Sequence, residues 1–208
     1  MSRVLAAVAV VLYAAEICSA HRLDEYLQAT ILSFEHGRVV ARMTLTPGVA
    51  VYPFVVAAMD ADRDGAISAG EERAYAVRIL QDQTLLVDGR AVALELFSWQ
   101  FPAVDEIKDG VGEIHVEYSA KLPTGAGRRK LTLQNRHEGR ISAYQVNCLV
   151  SRDKEILIGA QHRNVSQSVY ELNFSQAGGQ GGRLGMEVPV AAVSALGIGF
   201  MAVLRRRR

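Results

Sequence analysis

The sequence predicts a mainly β, sandwich-like domain that contains a helix-loop-helix insertion and is followed by one apolar C-terminal helix. Three observations carry this prediction. Between residues 21 and 175, short runs of alternating apolar and polar residues are separated by Gly, Pro, Asn and Asp, as in half-buried strands joined by tight turns. An acidic segment, residues 60–71, interrupts this pattern. A long apolar run and four arginines end the chain.

The first elements predicted are a pair of strands and a short helix. Residues 28–35 and 38–46 alternate in polarity, and His36-Gly37 between them is a hairpin signal. Residues 51–59 are apolar and predict a helix, in which Pro53 is tolerated because it falls in the first turn. The acidic segment follows this helix directly.

Strand-like runs resume after the acidic segment and the helix behind it. Asp88-Gly89 is a second hairpin signal. The runs share a length of four to ten residues and the same alternation: residues 84–87, 91–99, 113–122, 130–134, 141–150, 155–161 and 168–174. We therefore expect a β-sandwich domain over residues 21–175, with the helix-loop-helix at residues 50–82 inserted after the second strand.

The acidic segment carries oxygen donors at a spacing that suits one hard cation. Short carboxylates on alternate residues can turn inward together, a glycine permits the sharp turn, and a carboxylate at the twelfth position can reach back with both oxygens. Gly65 is the turn glycine, and Ala66 offers only its backbone carbonyl. The predicted metal ligands are Asp60, Asp62, Asp64, Ala66, Ser68 and Glu71.

This spacing resembles the calcium-binding loop of the EF-hand family, with the apolar Ile67 at its eighth position. The resemblance implies that Ca²⁺ is the bound ion. Ser68 and Glu71 also form a Ser-x-x-Glu capping box, which predicts an exit helix from Ser68 to about Asp82. The alternative is a turn of the same shape that holds no ion. A second such loop is absent from the sequence, so we expect a single EF-hand-like motif that is supported by the sheet or by a second molecule.

The N-terminal residues 1–20 have the pattern of a secretory signal peptide: Arg3, an apolar run, and the small residues Cys18-Ser19-Ala20. An uncleaved membrane anchor is the alternative. Cleavage after Ala20 would leave His21 at the N-terminus, where its amine and imidazole could chelate copper or nickel together with a second histidine. The candidates for that histidine are His36, His115, His137 and His162.

The C-terminal part of the chain predicts a membrane anchor. Residues 176–187 form a glycine-rich linker, residues 188–204 an apolar helix just long enough to span a bilayer, and residues 205–208 are all arginine. The arginines favour a cytoplasmic C-terminus, so the domain would face the periplasm or cell surface. The glycines, apolar helix and arginines resemble bacterial GlyGly-CTERM sorting tails, which implies a sorting protease as partner; a simple single-span anchor is the alternative.

Charge and cysteine content exclude several classes of function. Residues 21–175 carry 17 basic and 20 acidic side chains, so we expect no nucleic-acid partner. Cys148 is the single cysteine left after cleavage and lies in an apolar run, which predicts a buried, inert thiol without a disulfide. We find no nucleophile elbow, phosphate loop, paired-cysteine metal site or triad, and therefore predict no catalytic residues and no enzyme activity.

Two further groups of residues have competing interpretations. Glu113, His115 and Glu117 lie on one face of a predicted strand. They could form a transition-metal site, or they could be the solvent-exposed face of that strand. The basic groups Arg128-Arg129-Lys130 and Arg136-His137 are interpreted as solvated turns; the alternative for both is contact with anionic lipid headgroups.

A second resemblance concerns the opening of the domain. Residues 20–28, Ala-His-Arg-Leu-Asp-Glu-Tyr-Leu-Gln, and 45–49, Leu-Thr-Pro-Gly-Val, resemble exported bacterial domains that precede HupE/UreJ-type permease modules. It implies an extracytoplasmic β-domain that handles nickel or cobalt beside a metal permease. The leading prediction is a calcium-stabilised binding or accessory module; the alternatives are this permease accessory and a histidine-brace-like oxidoreductase.

Overall fold

The computed structural model describes residues 24–151 and 153–177. The predictions for the signal peptide, for His21, for the apolar helix 188–204 and for the arginines 205–208 lie outside the described residues, as does nearly all of the linker 176–187. None of the helices formed by the described residues is long and apolar enough to cross a membrane.

Within the described residues the chain forms ten strands and three helices. In chain order they are β1 (Tyr26–Glu35), β2 (Arg38–Pro47), α1 (Tyr52–Met59), α2 (Ala69–Gln81), β3 (Gln83–Val87), β4 (Arg90–Ala91), β5 (Glu95–Gln100), α3 (Val104–Lys108), β6 (Ile114–Lys121), β7 (Gly127–Asn135), β8 (Ser142–Cys148), β9 (Ile156–Arg163) and β10 (Val169–Gln176). The prediction of a β-rich domain is confirmed, and α1 and α2 lie after β2, where we expected the insertion.

The strands form two five-stranded sheets, with the orders β5-β6-β2-β1-β8 and β4-β3-β7-β10-β9. Neighbouring strands are antiparallel, except that β1 and β8 run parallel. Two sequence predictions are corrected. The run 91–99 is divided between the sheets, because β4 pairs with β3 whereas β5 pairs with β6. Residues 128–130 belong to β7 and are not a turn, because they pair with residues 173–175 of β10.

The two sheets contribute to one hydrophobic core. The Phe34 ring of the first sheet lies 4.9 Å from the Phe174 ring of the second, measured between centroids. Met59 of α1 and Ile79 of α2 are buried in the same cluster. Each large apolar side chain that is fully buried contributes about 2 kcal/mol, so both helices are held to the sheets by their apolar faces.

The strand register defines two ends of the domain, which are formed by different elements. At the first, Tyr26 pairs with Pro47, and α1 begins a few residues later; we call it the helix end. At the second, Glu35 pairs with Arg38 across the β1–β2 turn; we call it the hairpin end. The last residue of β10, Gln176, lies opposite Gly127, after the β6–β7 loop, and therefore at the hairpin end.

Candidate metal centre

The loop between α1 and α2 is the candidate site, and local sequence positions both helices. Pro53 falls in the first turn of α1, whose Val55 and Met59 are buried. Ser68 is the N-cap of α2: its hydroxyl oxygen accepts a hydrogen bond from the Glu71 N–H (3.3 Å). In return, the Glu71 carboxylate accepts one from the Ser68 N–H (2.9 Å). This is the capping box that the sequence predicts.

Three carboxylates converge inside this loop. One oxygen each from Asp60, Asp62 and Glu71 can be chosen so that all lie within 4.8 Å of one another. Asp60 is only 9% exposed, whereas Asp62 lies in solvent. Carboxylate oxygens at this separation can share one cation, and an all-oxygen donor set suits hard ions such as Ca²⁺ or Mg²⁺. The three carboxylates therefore fit the Ca²⁺ ion that the spacing of the loop residues implies.

Backbone N–H groups hold the carboxylates in place. Asp60 accepts hydrogen bonds from the Asp64 N–H (3.1 Å) and the Gly65 N–H (3.0 Å). Glu71 accepts one from the Ala61 N–H (2.7 Å). These hydrogen bonds connect the two ends of the loop, so backbone groups of the loop itself hold the carboxylates.

The six predicted ligands do not all take part in the carboxylate cluster. Asp60, Asp62 and Glu71 belong to it, whereas Asp64 Oδ1 accepts a hydrogen bond from the Ala66 N–H (2.8 Å). The Ser68 hydroxyl, the candidate ligand at the ninth position, donates to Glu71 Oε2 (2.8 Å). The Ala66 carbonyl stays a predicted ligand at the seventh position of the same segment.

Hydrogen bonds keep Glu71 ionised. The Ser68 N–H, the Ser68 hydroxyl and the Ala61 N–H, in order of effect, lower the pKa of Glu71 to about 2. A carboxylate that accepts several hydrogen bonds is stabilised in its charged form. Glu71 therefore presents a negative charge to the loop at any physiological pH.

A second group of polar side chains, which the sequence analysis missed, lies beneath α2. His137 is completely buried, so the prediction that it belongs to a solvated turn is wrong. Its Nδ1 lies 2.7 Å from Asp82 Oδ2, and its Nε2 lies 3.1 Å from the Tyr75 hydroxyl. The Tyr75 hydroxyl lies 3.3 Å from that of Tyr26 in β1. We call these four residues the histidine relay.

Burial sets the protonation of the histidine relay. Desolvation lowers the pKa of His137, and the hydrogen bond with Asp82 opposes this only in part. Burial also raises the pKa of Tyr75. The imidazole is therefore neutral: its Nδ1–H donates a hydrogen bond to Asp82, and its Nε2 accepts a hydrogen bond from the Tyr75 hydroxyl. Tyr26 in turn donates to Tyr75.

The histidine relay is joined to both sheets by buried amides. Gln28 of β1 donates to the His137 carbonyl (3.0 Å) and accepts from Asn135 of β7 (2.9 Å). Gln83 of β3 donates to Asn135 (2.9 Å). Because Tyr75 lies in α2 and Asp82 caps its C-terminus, the end of the exit helix is fixed to β1, β3 and β7. A signal was present in the sequence, since Tyr75 lies one helical turn before Ile79 on the apolar face of α2.

The remaining metal interpretations find less support among the described residues. His115 Nε2 lies 3.5 Å from Glu113, whereas Glu117 lies 3.3 Å from Arg42. In residues 24–151 and 153–177, the loop provides the one group of three or more His, Cys, Asp or Glu side chains close enough to share an ion. His137 is not a suitable second histidine for His21, because both of its ring nitrogens have partners inside the core.

Cys148 is half-buried, and desolvation raises the pKa of its thiol to about 11. A thiol with a raised pKa carries little thiolate near neutral pH, which agrees with the prediction of an unreactive cysteine.

No protein-family model matches this chain, and neither a curated protein nor a solved structure shows detectable similarity to it. The function is therefore inferred from the site itself.

Proposed function

We propose that this protein is a membrane-anchored, extracytoplasmic binding or accessory module, a β-sandwich in which Ca²⁺ stabilises the inserted helix-loop-helix. The observation that carries the proposal is the convergence of Asp60, Asp62 and Glu71 in a loop with EF-hand spacing. Asp64, the Ala66 carbonyl and Ser68 complete the donor set. The same loop spacing supports Ca²⁺ over transition metals, since it offers neither imidazole nor thiolate.

The ion has a structural role in this proposal. The loop joins α1 and α2, which bury Met59 and Ile79 in the common core, so an ion that neutralises the loop carboxylates stabilises the packing of both helices. Extracellular calcium sites bind with dissociation constants of about 10⁻⁴ to 10⁻³ M and stay occupied outside the cytosol. At a free Ca²⁺ concentration ten times the dissociation constant, binding adds about 1.4 kcal/mol to the free energy of unfolding.

The membrane part of the proposal is supported by the sequence of residues 188–208. The apolar run, the arginines after it and the glycine-rich linker before it are the signature of a single-span anchor with a cytoplasmic end. The signal peptide signature of residues 1–20 supports the same orientation.

Calorimetry and thermal unfolding of the purified protein, with and without Ca²⁺, test the proposal. We expect heat of binding and a rise in melting temperature that Mg²⁺ reproduces only weakly. Glu71→Gln removes one charge from the donor set and should weaken Ca²⁺ binding by at least roughly tenfold.

The matched control for this substitution is Glu72→Gln. Glu72 is the adjacent residue of α2 and lies outside the carboxylate cluster, so its variant should bind Ca²⁺ as the parent does. Equal affinities for the parent and Glu71→Gln would contradict the assigned ligands. The absence of both heat and thermal shift would contradict calcium binding altogether.

A further inference from the structure

The hairpin end of the domain is the end from which the chain leaves. Gln176 closes β10 opposite Ile156 of β9, and the Ala177 N–H donates to the Glu155 carbonyl (2.8 Å). The segment toward the apolar run therefore starts at the hairpin end. Ten residues lie between Ala177 and Val188, and a glycine-rich chain of that length has an average end-to-end distance of about 17 Å. A membrane that holds the apolar run would thus lie within reach of this end.

Charge is distributed unequally between the two ends. At the helix end, segments 59–73 and 104–113 carry nine carboxylates and three basic side chains. Among the described residues, the hairpin end carries six basic side chains and four carboxylates, Glu35, Asp88, Asp153 and Glu155. The six basic residues are Arg38, Arg90, Lys121, Arg128, Arg129 and Lys154. An anionic surface would therefore attract the hairpin end and repel the helix end.

An open groove of about 530 Å³ lies on the outer face of the second sheet at the hairpin end, lined by residues 128–130 of β7 and by Leu157 and Gly159 of β9. Arg129 is fixed in the groove by Asp88, 2.9 Å from its guanidinium. Lys130 pairs with Glu171 (2.7 Å). Arg128 is exposed and makes no side-chain hydrogen bond or ion pair with another described residue, so its guanidinium is available for an anionic group.

Apolar side chains accompany the basic ones. Leu149 is 49% exposed, Val150 88% and Leu157 58%. Leu149 and Val150 follow β8, whose parallel pairing with β1 brings it to the hairpin end. Basic side chains interspersed with exposed aliphatic ones suit the interfacial region of an anionic bilayer, where the former meet headgroups and the latter enter the acyl boundary.

We propose that the hairpin end rests on an anionic lipid surface, with Arg128 and its basic neighbours on the headgroups and Val150 and Leu157 toward the acyl chains. This contact rests on the proposed membrane anchor, which raises the local lipid concentration so that a weak interaction suffices. It directs the calcium loop away from the membrane, toward the space where partners and free Ca²⁺ are found.

Site-specific fluorescence quenching in vesicles tests this orientation. The full chain with Cys18→Ser and Cys148→Ser is labelled at Val150→Cys or, as a matched control at the helix end, at Ala61→Cys. Each protein is reconstituted into phosphatidylcholine vesicles that contain a nitroxide lipid, with and without phosphatidylglycerol, at one fixed Ca²⁺ concentration. We expect quenching at position 150 that requires phosphatidylglycerol and decreases in about 1 M salt, where exposed charges are screened. Position 61 should stay unquenched.

Charge reversal gives the second part of the test. Lys121→Glu, Arg128→Glu and Lys154→Glu combined should reduce quenching at position 150 to its level without phosphatidylglycerol. Arg73→Glu, an exposed reversal at the helix end, should leave it unchanged. Equal quenching at the two labels would overturn the proposal. Quenching at position 150 that is the same with and without phosphatidylglycerol would overturn it as well.

Flotation in high salt separates the anchor from the surface contact. Protein that floats with the vesicles but shows no quenching at position 150 would refute the contact and retain the anchor. Protein that is quenched at low salt but released at high salt would refute the anchor and retain the contact. Protein that never associates with either kind of vesicle would refute both.

Discussion

At the scale of single residues, the backbone conformation of the loop decides where its carboxylates point. Gly65 has φ +85°, and no atom would contact a Cβ added there. Glycine is therefore required at this position for its backbone conformation and not for lack of space. Arg63 also has a left-handed conformation, with φ 63°, at a cost of about 1 kcal/mol for a non-glycine residue. The chain bears this strain in the segment between Asp62 and Asp64.

Two glycine substitutions separate loop conformation from helix propensity. Gly65→Ala forces a side chain into the left-handed region and should lower the free energy of unfolding by about 1 kcal/mol and weaken Ca²⁺ binding. Gly70→Ala lies in α2, where the added Cβ would meet only Ser68 Oγ at 3.8 Å; it should raise the free energy of unfolding by roughly 0.5–1 kcal/mol. Urea unfolding and calorimetry measure both effects. Equal effects of the two substitutions would contradict the loop geometry.

At the scale of elements, α2 connects the candidate metal centre to the sheets. Glu71 lies in its first turn, Tyr75 one turn later, and Asp82 caps its last turn beside His137. Arg78 pairs with Glu138 in the turn that also holds His137. An ion bound in the loop would therefore act on the same helix as the histidine relay, the ion at its first turn and the relay toward its C-terminal end.

Tyr75→Phe tests this connection. The substitution keeps the ring against the core but removes the hydroxyl, leaving His137 Nε2 and the Tyr26 hydroxyl without their buried partner. We expect the free energy of unfolding to fall by about 1–3 kcal/mol. Tyr52→Phe on α1, whose hydroxyl has no hydrogen bond with a described residue, is the control and should change it little. A loss of equal size in both variants would show that the relay does not secure α2.

At the scale of the whole molecule, the histidine relay makes stability depend on pH. The groups that face His137 are Asp82 and Glu138, which raise its pKa, Arg78, which lowers it, and the two tyrosines; burial is the largest influence, and the net pKa is lowered. The unfolded chain therefore takes up a proton first as the pH falls. The stability associated with neutral His137 is complete above about pH 6.5 and is lost as the pH falls toward the lower folded-state pKa.

Urea unfolding between about pH 7.5 and 5 measures this loss, whose slope is at most about 1.4 kcal/mol per pH unit for one histidine. His137→Gln should be less stable than the parent at about pH 7.5 and should show a smaller slope. His162→Gln, which alters an exposed histidine of β9, should reproduce the parent's slope. A parent slope that survives His137→Gln would assign the pH dependence to other groups.

The sequence by itself determined the features that depend on neighbouring residues. Alternation of polarity indicated the positions of most strands, because a half-buried strand shows its two faces in two-residue steps. Spacing indicated the loop and the capping box, because Asp60 to Glu71 interact with one another over a few residues. Tyr75 was missed, because the partners of its hydroxyl lie far away in the sequence.

The tertiary structure decided everything that depends on residues far apart in the chain. The sequence did not reveal that His137 is buried, because its hydrogen-bond partners are distant in the chain. Tyr75 lies 62 residues earlier and Asp82 lies 55 residues earlier. The run 91–99 looked like one strand because the choice between β3 and β6 as pairing partner is made across the core. Strand pairing also places the acidic loop at one end of the domain and Ala177 at the other. Register and strand direction are properties of the sheet and not of any one segment.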